Sequence, residues 1–405
     1  MNIAIFTDSC LPYCSGVTYA VLSQVNELCR RGHSVDVFRP RPGRKFRDQV
    51  VELPNRARMI DVPFTLPAPR LPELRLVIPT LHTTLRYLHE HRPDVIHVHT
   101  EWGCGWEGLL VAKRLDVPVV GTFHTFFAEP GYLKSLRLPT WSWIQQAVWA
   151  YAVNFFNRCD VVTSPSEAVR QSLMDHGVNK EPILLSNGID LPAPASEREI
   201  KRLRHRYGLD GPTFIYVGRV APEKSLDVLV RAFQKVQQRL PSAKLIIIGD
   251  GPSMPSLNAL VAETGMDKSV IRLGFIPHDE LLAESLLKLG DIFVTASKTE
   301  NQPISVLEAM AAGLTVIGPN AQGLKEMIRP GENGYHFAPD DTEGLAAAML
   351  KFAVLSGDTK QSMSESSREF ARQNSLGASI DQLESIYQSL TGSQIKQDRR
   401  SLTAA

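Results

Sequence analysis

The sequence predicts an α/β protein of two doubly wound, Rossmann-like domains, and three observations carry that expectation. The chain has 405 residues, and single hydrophobic cores stop growing well before that length, so such chains divide into domains of roughly 100–200 residues. Short β-branched runs alternate with longer segments of helical periodicity, the rhythm of parallel sheets covered by helices on both faces. The rhythm breaks at Leu191-Pro192-Ala193-Pro194-Ala195-Ser196, where two prolines among small residues mark a boundary. The expected organisation is an N-terminal domain over 1–190, a C-terminal domain over 191–390 and a polar tail over 391–405. Helical spacing over Met363–Leu390 would let the last helix pack back across the domain interface.

In the first half the strand-like runs are Ile3–Thr7, Val35–Phe38, Val95–His99, Val119–His124, Val161–Ser164 and Ile183–Leu185. In the second they are Phe214–Val217, Lys244–Ile248, Ile271–Phe275, Ile292–Ala296 and Leu314–Gly318. After Val217, the residues Leu226, Leu229, Val230, Phe233 and Val236 fall at i, i+3, i+4, i+7 and i+10, the apolar stripe of a helix laid on a sheet.

Hydrophobic residues make up 43% of the chain and charged ones 21%, enough apolar surface to offset the entropy of ordering the backbone and to exclude global disorder. Lys plus Arg number 44 against 43 Asp plus Glu, a net charge of +1, which argues against a nucleic-acid binder. Locally, residues 30–58 hold nine basic residues (Arg30, Arg31, Arg39, Arg41, Arg44, Lys45, Arg47, Arg56, Arg58) and three acidic ones (Asp36, Asp48, Glu52). That surplus reads equally as a solvated loop or as a surface for an anionic partner. Five cysteines without CxxC pairs signal neither a disulfide framework nor a zinc site and suit a reducing compartment. The N-terminus opens on Asn2-Ile3-Ala4-Ile5-Phe6 without a basic n-region or cleavage site, and no later stretch offers about 18 uncharged apolar residues. A cytoplasmic, non-spanning protein is expected.

Ligands of open α/β sheets lie beyond the carboxyl ends of the strands, and the loops there suit a sugar nucleotide. In Gly218-Arg219-Val220-Ala221-Pro222-Glu223-Lys224 the glycine permits close backbone approach, and the two cations can bracket a diphosphate without a metal. Alternatively this is a helix-start loop with incidental charges. Ser297–Met310 carries Glu300 and Glu308, with Asn301, Gln302, Pro303 and Ile304 between them. Pro303 and Ser305 favour a helix start, whose amides and macrodipole suit a phosphate. Glu308, an acceptor-only carboxylate, can take both ribose hydroxyls, and Glu300 can reach the sugar hydroxyls; an amphipathic helix with solvated glutamates is the other reading.

The pattern Gly-Arg-x3-Glu-Lys, then Gly249-Asp250-Gly251-Pro252, then Glu-x7-Glu with Ala309-Met310-Ala311-Ala312-Gly313 resembles glycosyltransferase family 4. Pro165-Ser166, Asn187-Gly188-Ile189-Asp190 and Pro330-Gly331-Glu332-Asn333-Gly334 are similar to the family's other landmarks. The resemblance implies a GT-B fold whose two domains face a deep interdomain cleft, a donor site in the C-terminal domain, an acceptor site in the N-terminal domain and retention of anomeric configuration. It implies donor contacts from Gly16, Gly218, Arg219, Lys224, Asn301, Gln302, Pro303, Ile304 and Glu308, and catalytic roles for His124, Arg219, Lys224 and Glu300. His124 would face the cleft, contact the transferred sugar and help to hold the developing positive charge. The first loop, Pro12-Tyr13-Cys14-Ser15-Gly16-Val17, has Ser15 where the family commonly has the first of two glycines, so the phosphate-facing role rests on Gly16.

No Asp-x-Asp pair occurs, so metal independence and no cofactor are expected; His97 and His99 point to one face of a strand but would need a third ligand to hold a metal. No carboxylate presents itself as a covalent nucleophile, which leaves the family's usual course, departure of the diphosphate from the face by which the acceptor enters. The aromatic stretch Phe126, Phe127, Tyr132, Trp141, Trp143, Trp149, Tyr151, Phe155 and Phe156, with Lys134 and Arg137, has the composition of a membrane-interface surface or of a core helix. Leu66–Leu76 is similar to a segment of family members that glycosylate diacylglycerol, sulfolipid and glucolipid synthases among them. The expected partners are therefore a UDP-sugar or GDP-sugar donor and a lipid or glycan acceptor, with an anionic membrane surface and no nucleic acid. Polysaccharide or lipopolysaccharide assembly and a GT-B sugar-nucleotide epimerase are the alternatives. A periplasmic-type sugar-binding protein would need an export signal, and a nicotinamide dehydrogenase would need Gly-x-Gly-x-x-Gly where Thr7–Pro12 stands.

Overall fold

Runs such as Ile3-Ala4-Ile5-Phe6 and Leu245-Ile246-Ile247-Ile248 are apolar at every position, which suits strands buried on both faces, and all of them are at most 2% exposed. The computed structural model of the chain describes all residues except 12–14, 45–51, 69–70, 125–132, 134–138, 192–195, 284 and 404–405, and all their side chains except those of 68, 71–74 and 393–403. The chain forms two compact units, one of Met1–Thr125, Gln146–Gly188 and Leu376–Ala405, the other of Phe126–Gln145 and Ile189–Ser375.

Unit 1 contains β1 (Asn2–Phe6), α1 (Gly16–Arg30), β2 (Ser34–Pro40), β3 (Ala57–Val62), β4 (Thr65–Ala68), β5 (Leu71–Val77), α2 (His82–Glu90), β6 (Val95–Val98), α3 (Gly103–Leu115) and β7 (Val119–Thr122). The helix α4 (Ser142–Phe156) follows, in unit 1 from Gln146 onward, then β8 (Val161–Ser164), α5 (Glu167–Asp175) and β9 (Ile183–Leu184). Its parallel sheet runs β3-β2-β1-β6-β7-β8-β9, while β4 and β5 pair apart from it as an antiparallel hairpin. Unit 2 contains α6 (Glu197–Arg206), β10 (Thr213–Val217), α7 (Leu226–Arg239), β11 (Lys244–Ile248), α8 (Met254–Glu263), β12 (Val270–Gly274), α9 (His278–Ala283) and β13 (Ile292–Val294). It continues through α10 (Ile304–Ala311), β14 (Thr315–Pro319), α11 (Leu324–Met327), β15 (Gly334–Phe337), α12 (Thr342–Ala353) and α13 (Gly357–Gln373). The parallel order is β12-β11-β10-β13-β14-β15. In α7 all five residues of the expected stripe are buried.

Four strands lay outside the sequence reading. β3 carries Arg58 and Asp61 on an edge, β4 and β5 contain Pro67 and Pro72, and β15 is four residues opening on glycine; each lacks the continuous apolar run of a central strand.

The helical spacing over 363–390 resolves into two helices, α13 and then α14 (Leu376–Thr403), interrupted at Asn374 and Ser375. Leu376, Ile380, Leu383 and Tyr387 of α14 are buried with Ile3, Val25, Leu28, Val95 and Val120, so this helix completes the core of unit 1. Arg31, at the end of α1, pins it by ion pairs to Asp381 at 2.5 Å and Glu384 at 2.7 Å, and His33 Nε2 lies 2.6 Å from Glu384. Gly188 has φ +69°, and a Cβ there would come within 2.9 Å of Leu376 Cα. Among the described residues no helix is long and apolar enough to cross a membrane.

Leu383 is fully buried, so Leu383→Ala is expected to cost about 2–5 kcal/mol by lost transfer energy and the cavity left behind. In calorimetry the transition of unit 1 should move to lower temperature and that of unit 2 should stay in place.

Candidate functional site

In unit 2 the strand order reverses between β10 and β13, the switch point beyond which open α/β sheets bind ligands. The loops after β10 and β11 meet there backbone to backbone. Gly218 N donates to Ile248 O at 3.0 Å, Val220 N to Asp250 O at 2.9 Å and Ser253 N to Val220 O at 3.0 Å. A Cβ on Gly249 would stand 1.9 Å from Gly218 O, and one on Gly251 2.4 Å from Val220 O. The buried Tyr216 hydroxyl donates to Arg219 O at 3.0 Å, which holds the half-buried Arg219 in place by its own backbone.

A short 3₁₀ turn, Pro222–Lys224, brings Lys224 into an ion pair with Glu300 of the loop after β13. Ser297 Oγ donates to Glu223 O at 3.3 Å, a second tie between the same two loops. Gly323 N in turn donates to Glu300 O at 3.0 Å, and a Cβ on Gly323 would lie 1.3 Å from Asn301 O, so the following loop braces Glu300 from behind. Asn301 and Gln302 are buried, and Gln302 Nε2 donates to Asn374 Oδ1 at 3.2 Å. Pro303 caps α10, and Ile304 and Glu308 lie on that helix as the sequence indicated.

Glu308 has a partner that the sequence reading missed. His278 Nε2 donates to it at 2.5 Å. Burial alone would lower the pKa of His278, but the hydrogen bond and charge of Glu308, with Asp279 and Asp190 further off, raise it above the ordinary 6.5. The signal available was position, a histidine in the first turn beyond the carboxyl end of β12. The bidentate ribose contact expected of Glu308 therefore starts from a carboxylate with one oxygen already engaged.

Gly16 and His124 belong to unit 1, where the strand order reverses between β1 and β6. Gly16 is the first residue of α1, Ser15 caps that helix by accepting from Thr18 N at 3.2 Å, and a Cβ on Gly16 would meet nothing within 4 Å. The glycine is therefore not required by packing among the described residues, and residues 12–14 of the loop lie outside them. Beyond β1, Asp8 accepts from Thr100 Oγ1 at 2.7 Å and from Cys104 N at 3.1 Å, yet burial pushes it up to about 6. Burial pushes Glu101 up to about 8, so this acid is largely neutral at physiological pH. Neither acid was singled out by sequence.

His124 lies two residues past β7, and its Nε2 is 3.0 Å from His99 Nδ1. The ring of His97 lies tilted against that of His99, with centroids 4.0 Å apart. Both His97 nitrogens are taken, by the Tyr387 hydroxyl at 2.6 Å and Thr122 Oγ1 at 2.7 Å, so His97 has no lone pair to offer a metal. Burial holds His124 down to about 4 and His97 to about 3, and pushes His99 down as well. All three are neutral at physiological pH.

The basic excess over 30–58 is smaller in the structure than in the sequence. Arg30 and Arg31 pair with Glu27, Arg31 also with Asp381 and Glu384, Arg39 with Asp61 at 2.9 Å and Arg58 with Asp36 at 2.8 Å. Most of these acids lie outside the counted window. Arg41 and Arg44 remain exposed, and Lys45, Arg47 and Asp48 lie outside the described residues. The aromatic stretch also divides. Phe155 and Phe156 are core, and Trp149 is sandwiched between Phe123 and His176. Trp141 and Trp143 are each 61% exposed with rings 5.9 Å apart. Phe126, Phe127, Tyr132, Lys134 and Arg137 fall outside the described residues. Phe64, Leu66 and Ile78, in and beside the β4–β5 hairpin, are exposed large apolar residues.

Residues 14–192 match the family model described as Glycosyltransferase Family 4, and residues 197–370 that described as Glycosyl transferases group 1. The chain is 29% identical over 348 residues to the alpha-monoglucosyldiacylglycerol synthase of Acholeplasma laidlawii, covering 83% of this chain and 85% of that protein. It is 30% identical over 367 residues to the GDP-mannose-dependent alpha-mannosyltransferase of Mycobacterium tuberculosis, covering 87% of this chain and 90% of that one. The solved structure of Anabaena Alr3699/HepE superimposes with a TM-score of 0.76 at 20% identity, over 96% of this chain and all of that one, a likeness of fold.

The raised pKa of His278 has a signed consequence for stability. A histidine raised in the folded state contributes fully below its unfolded pKa and loses that contribution as pH rises through the folded value. The stability difference between wild type and His278→Gln should therefore be largest in mildly acidic solution and should shrink once pH climbs past the raised value, as read from urea denaturation at a series of pH values.

Proposed function

Since the chain belongs to glycosyltransferase family 4, we propose that it transfers a sugar, with retention of anomeric configuration, from a nucleotide sugar bound by unit 2 to the hydroxyl of a membrane lipid bound by unit 1. The observation that carries the donor assignment is the joining of the Gly218–Lys224 loop to Glu300 at the switch point of the second sheet. Arg219, Lys224 and the first amides of α10 neutralise the departing diphosphate, in the electrostatic manner that dominates such sites. Glu308 holds the ribose, Glu300 the sugar hydroxyls, and His124 contacts the transferred sugar. The bond from the anomeric carbon to the diphosphate breaks, the acceptor oxygen bonds that carbon on the same face, and its proton passes to the departing phosphate oxygen. No metal is needed where two cations meet the diphosphate.

The lipid acceptor, diacylglycerol in the first place, is supported by the name of the Acholeplasma relative and by the exposed Phe64, Leu66 and Ile78. Exposed Trp141 and Trp143 are of the type that rests at a membrane–water interface, which supports a peripheral position on the cytoplasmic face of the membrane as part of this reading. The Mycobacterium relative, named for GDP-mannose, favours a second reading in which a GDP-sugar is the donor; a glycan acceptor is the alternative to a lipid.

Lys224→Ala and Glu308→Ala should each lower kcat/KM for donor, since a hydrogen bond to a charged group is worth about 1.5–3 kcal/mol, roughly ten- to a hundredfold. Unchanged rates at limiting donor in both variants would remove the donor site from this loop. For the membrane, each exposed arginine contributes about 1 kcal/mol near an anionic surface. Arg41→Ser with Arg44→Ser should reduce flotation with anionic vesicles at low salt, and Arg58→Ser, whose charge Asp36 already matches, should change it less. Equal flotation of the double variant and wild type would favour the glycan acceptor.

A further inference from the structure

We propose that Glu101 is an acceptor-binding residue of unit 1, whose carboxyl hydrogen-bonds an oxygen of the acceptor lipid other than the reacting hydroxyl. This deepens the reading given above and rests on its placing of a lipid acceptor in unit 1.

Glu101 lies three residues past Val98, the end of β6, at the point where the strand order of unit 1 reverses between β1 and β6. Open α/β sheets bind their ligands beyond the carboxyl ends of strands at such points. The segment that carries Glu101 is fixed from three sides. Asp8, beyond β1, accepts from Thr100 Oγ1 and from Cys104 N. The Tyr151 hydroxyl of α4 donates to Glu101 O at 2.7 Å and accepts from Trp106 Nε1 at 2.8 Å. A Cβ on Gly103 would stand 1.9 Å from the carbonyl of Val77, the last residue of β5, and one on Gly105 1.8 Å from Thr100 O. A binding group needs a backbone held in this way.

Three acids are buried around the start of α3, and two of them are structural. Asp8 has the bonds just given, and Glu107 accepts from Thr80 N at 2.9 Å and Leu81 N at 3.0 Å. Glu101 is different. It is only 5% exposed, yet among the described residues its carboxyl meets no hydrogen-bonding group except its own N–H. Buried polar groups left without partners are few in folded proteins, and each calls for a reason. Burial, with the charge of Asp8 acting in the same direction, pushes this acid up to about 8. Around it stand Asp8 beyond β1, Cys104 and Glu107 on α3 and Tyr151 on α4, none of them a cation that would draw the proton off; β5 ends there in the apolar Val77.

A neutral carboxyl has an O–H to give, and the chemistry says to which oxygen. The reacting hydroxyl must keep its proton for the departing phosphate, and a hydrogen bond donated to its oxygen would blunt its attack. An ester carbonyl of a diacylglycerol accepts and has nothing to donate, so the acid can bond it and the carboxylate cannot. The apolar part of such an acceptor has a surface close by in the chain, because Ile78 follows Val77, its N–H donates to Phe64 O at 2.8 Å, and both side chains are exposed.

The test measures transfer to diacylglycerol in phosphatidylcholine vesicles, with acceptor and donor varied separately. Glu101→Ala should raise the acceptor KM about tenfold, the scale of one lost hydrogen bond that leaves its partner unmet, with the donor KM little changed. Glu101→Gln, whose amide still donates, should recover most of that loss at pH 7. In the wild type the acceptor KM should rise as pH climbs through about 8, because the carboxylate has no proton to offer, and in Glu101→Gln this rise should be absent. An unchanged acceptor KM in folded Glu101→Ala, or the same rise with pH in Glu101→Gln as in wild type, overturns the role of Glu101 and leaves the lipid reading standing. Should Glu101→Ala fail to fold, the pH series of wild type and Glu101→Gln still decides. A wild type that uses no diacylglycerol with either UDP- or GDP-sugars overturns the lipid reading and this inference with it.

Discussion

No side chain fits at Gly249. Its Cα faces the carbonyl of Gly218 so closely that a methyl group would overlap it, and its φ of +136° is one that other residues rarely adopt. Because the two loop backbones touch there, Val220 and Asp250 can bond across the gap and the segment carrying Arg219 and Lys224 is fixed relative to the sheet. Lys224 then meets Glu300, and Glu300 is braced through its carbonyl by Gly323. One missing side chain thus sets the positions of charges that belong to separate strands. Both side chains of the Lys224–Glu300 pair keep some solvent contact, so its value lies in orientation more than in net stability.

The sequence disclosed the parts of the fold that follow from continuous apolar runs. β8 and β11 have the bounds expected of them, and the central strands of both sheets differ by a residue or two at their ends. The helix α7 was legible because Leu226, Leu229, Val230, Phe233 and Val236 fall on one stripe, and all five are buried. Pro303 before a helix and Glu308 within it were legible for the same local reason, since capping preferences act over a few residues. The hairpin of β4 and β5 was not, because Pro67 and Pro72 weaken the strand signal and the pairing itself supplies the order.

What stayed hidden depended on residues distant in sequence. His278 is thirty positions from Glu308, and no local pattern announces that they meet. The charges of Arg31, Arg39 and Arg58 look unbalanced when neighbours along the chain are counted, but Asp381 and Glu384 reach Arg31 from the last helix, and Asp61 and Asp36 meet Arg39 and Arg58 across the sheet. The aromatic residues after His124 had one composition and two fates, Trp149, Phe155 and Phe156 buried and Trp141 and Trp143 exposed. Composition carries no information about which face of a helix a neighbour will cover. The raised acids Asp8 and Glu101 are likewise products of enclosure, not of motif.

The return of α14 to unit 1 also imposes an order on assembly during synthesis. Gly188 ends the preceding part of that unit and Leu376 begins its last element, so nearly the whole of unit 2 emerges from the ribosome in between. At ordinary elongation rates of about 5–20 residues per second the interval is roughly ten to forty seconds. Throughout it the faces of α1, β1 and β6 that Leu383 and Tyr387 will cover stand open, and Arg31 lacks Asp381 and Glu384. Unit 2, continuous in sequence from Ile189 to Ser375 apart from a short earlier segment, has no such wait. The nascent enzyme therefore holds a finished second half before its first half can close, and the incomplete apolar face is the surface a chaperone would meet.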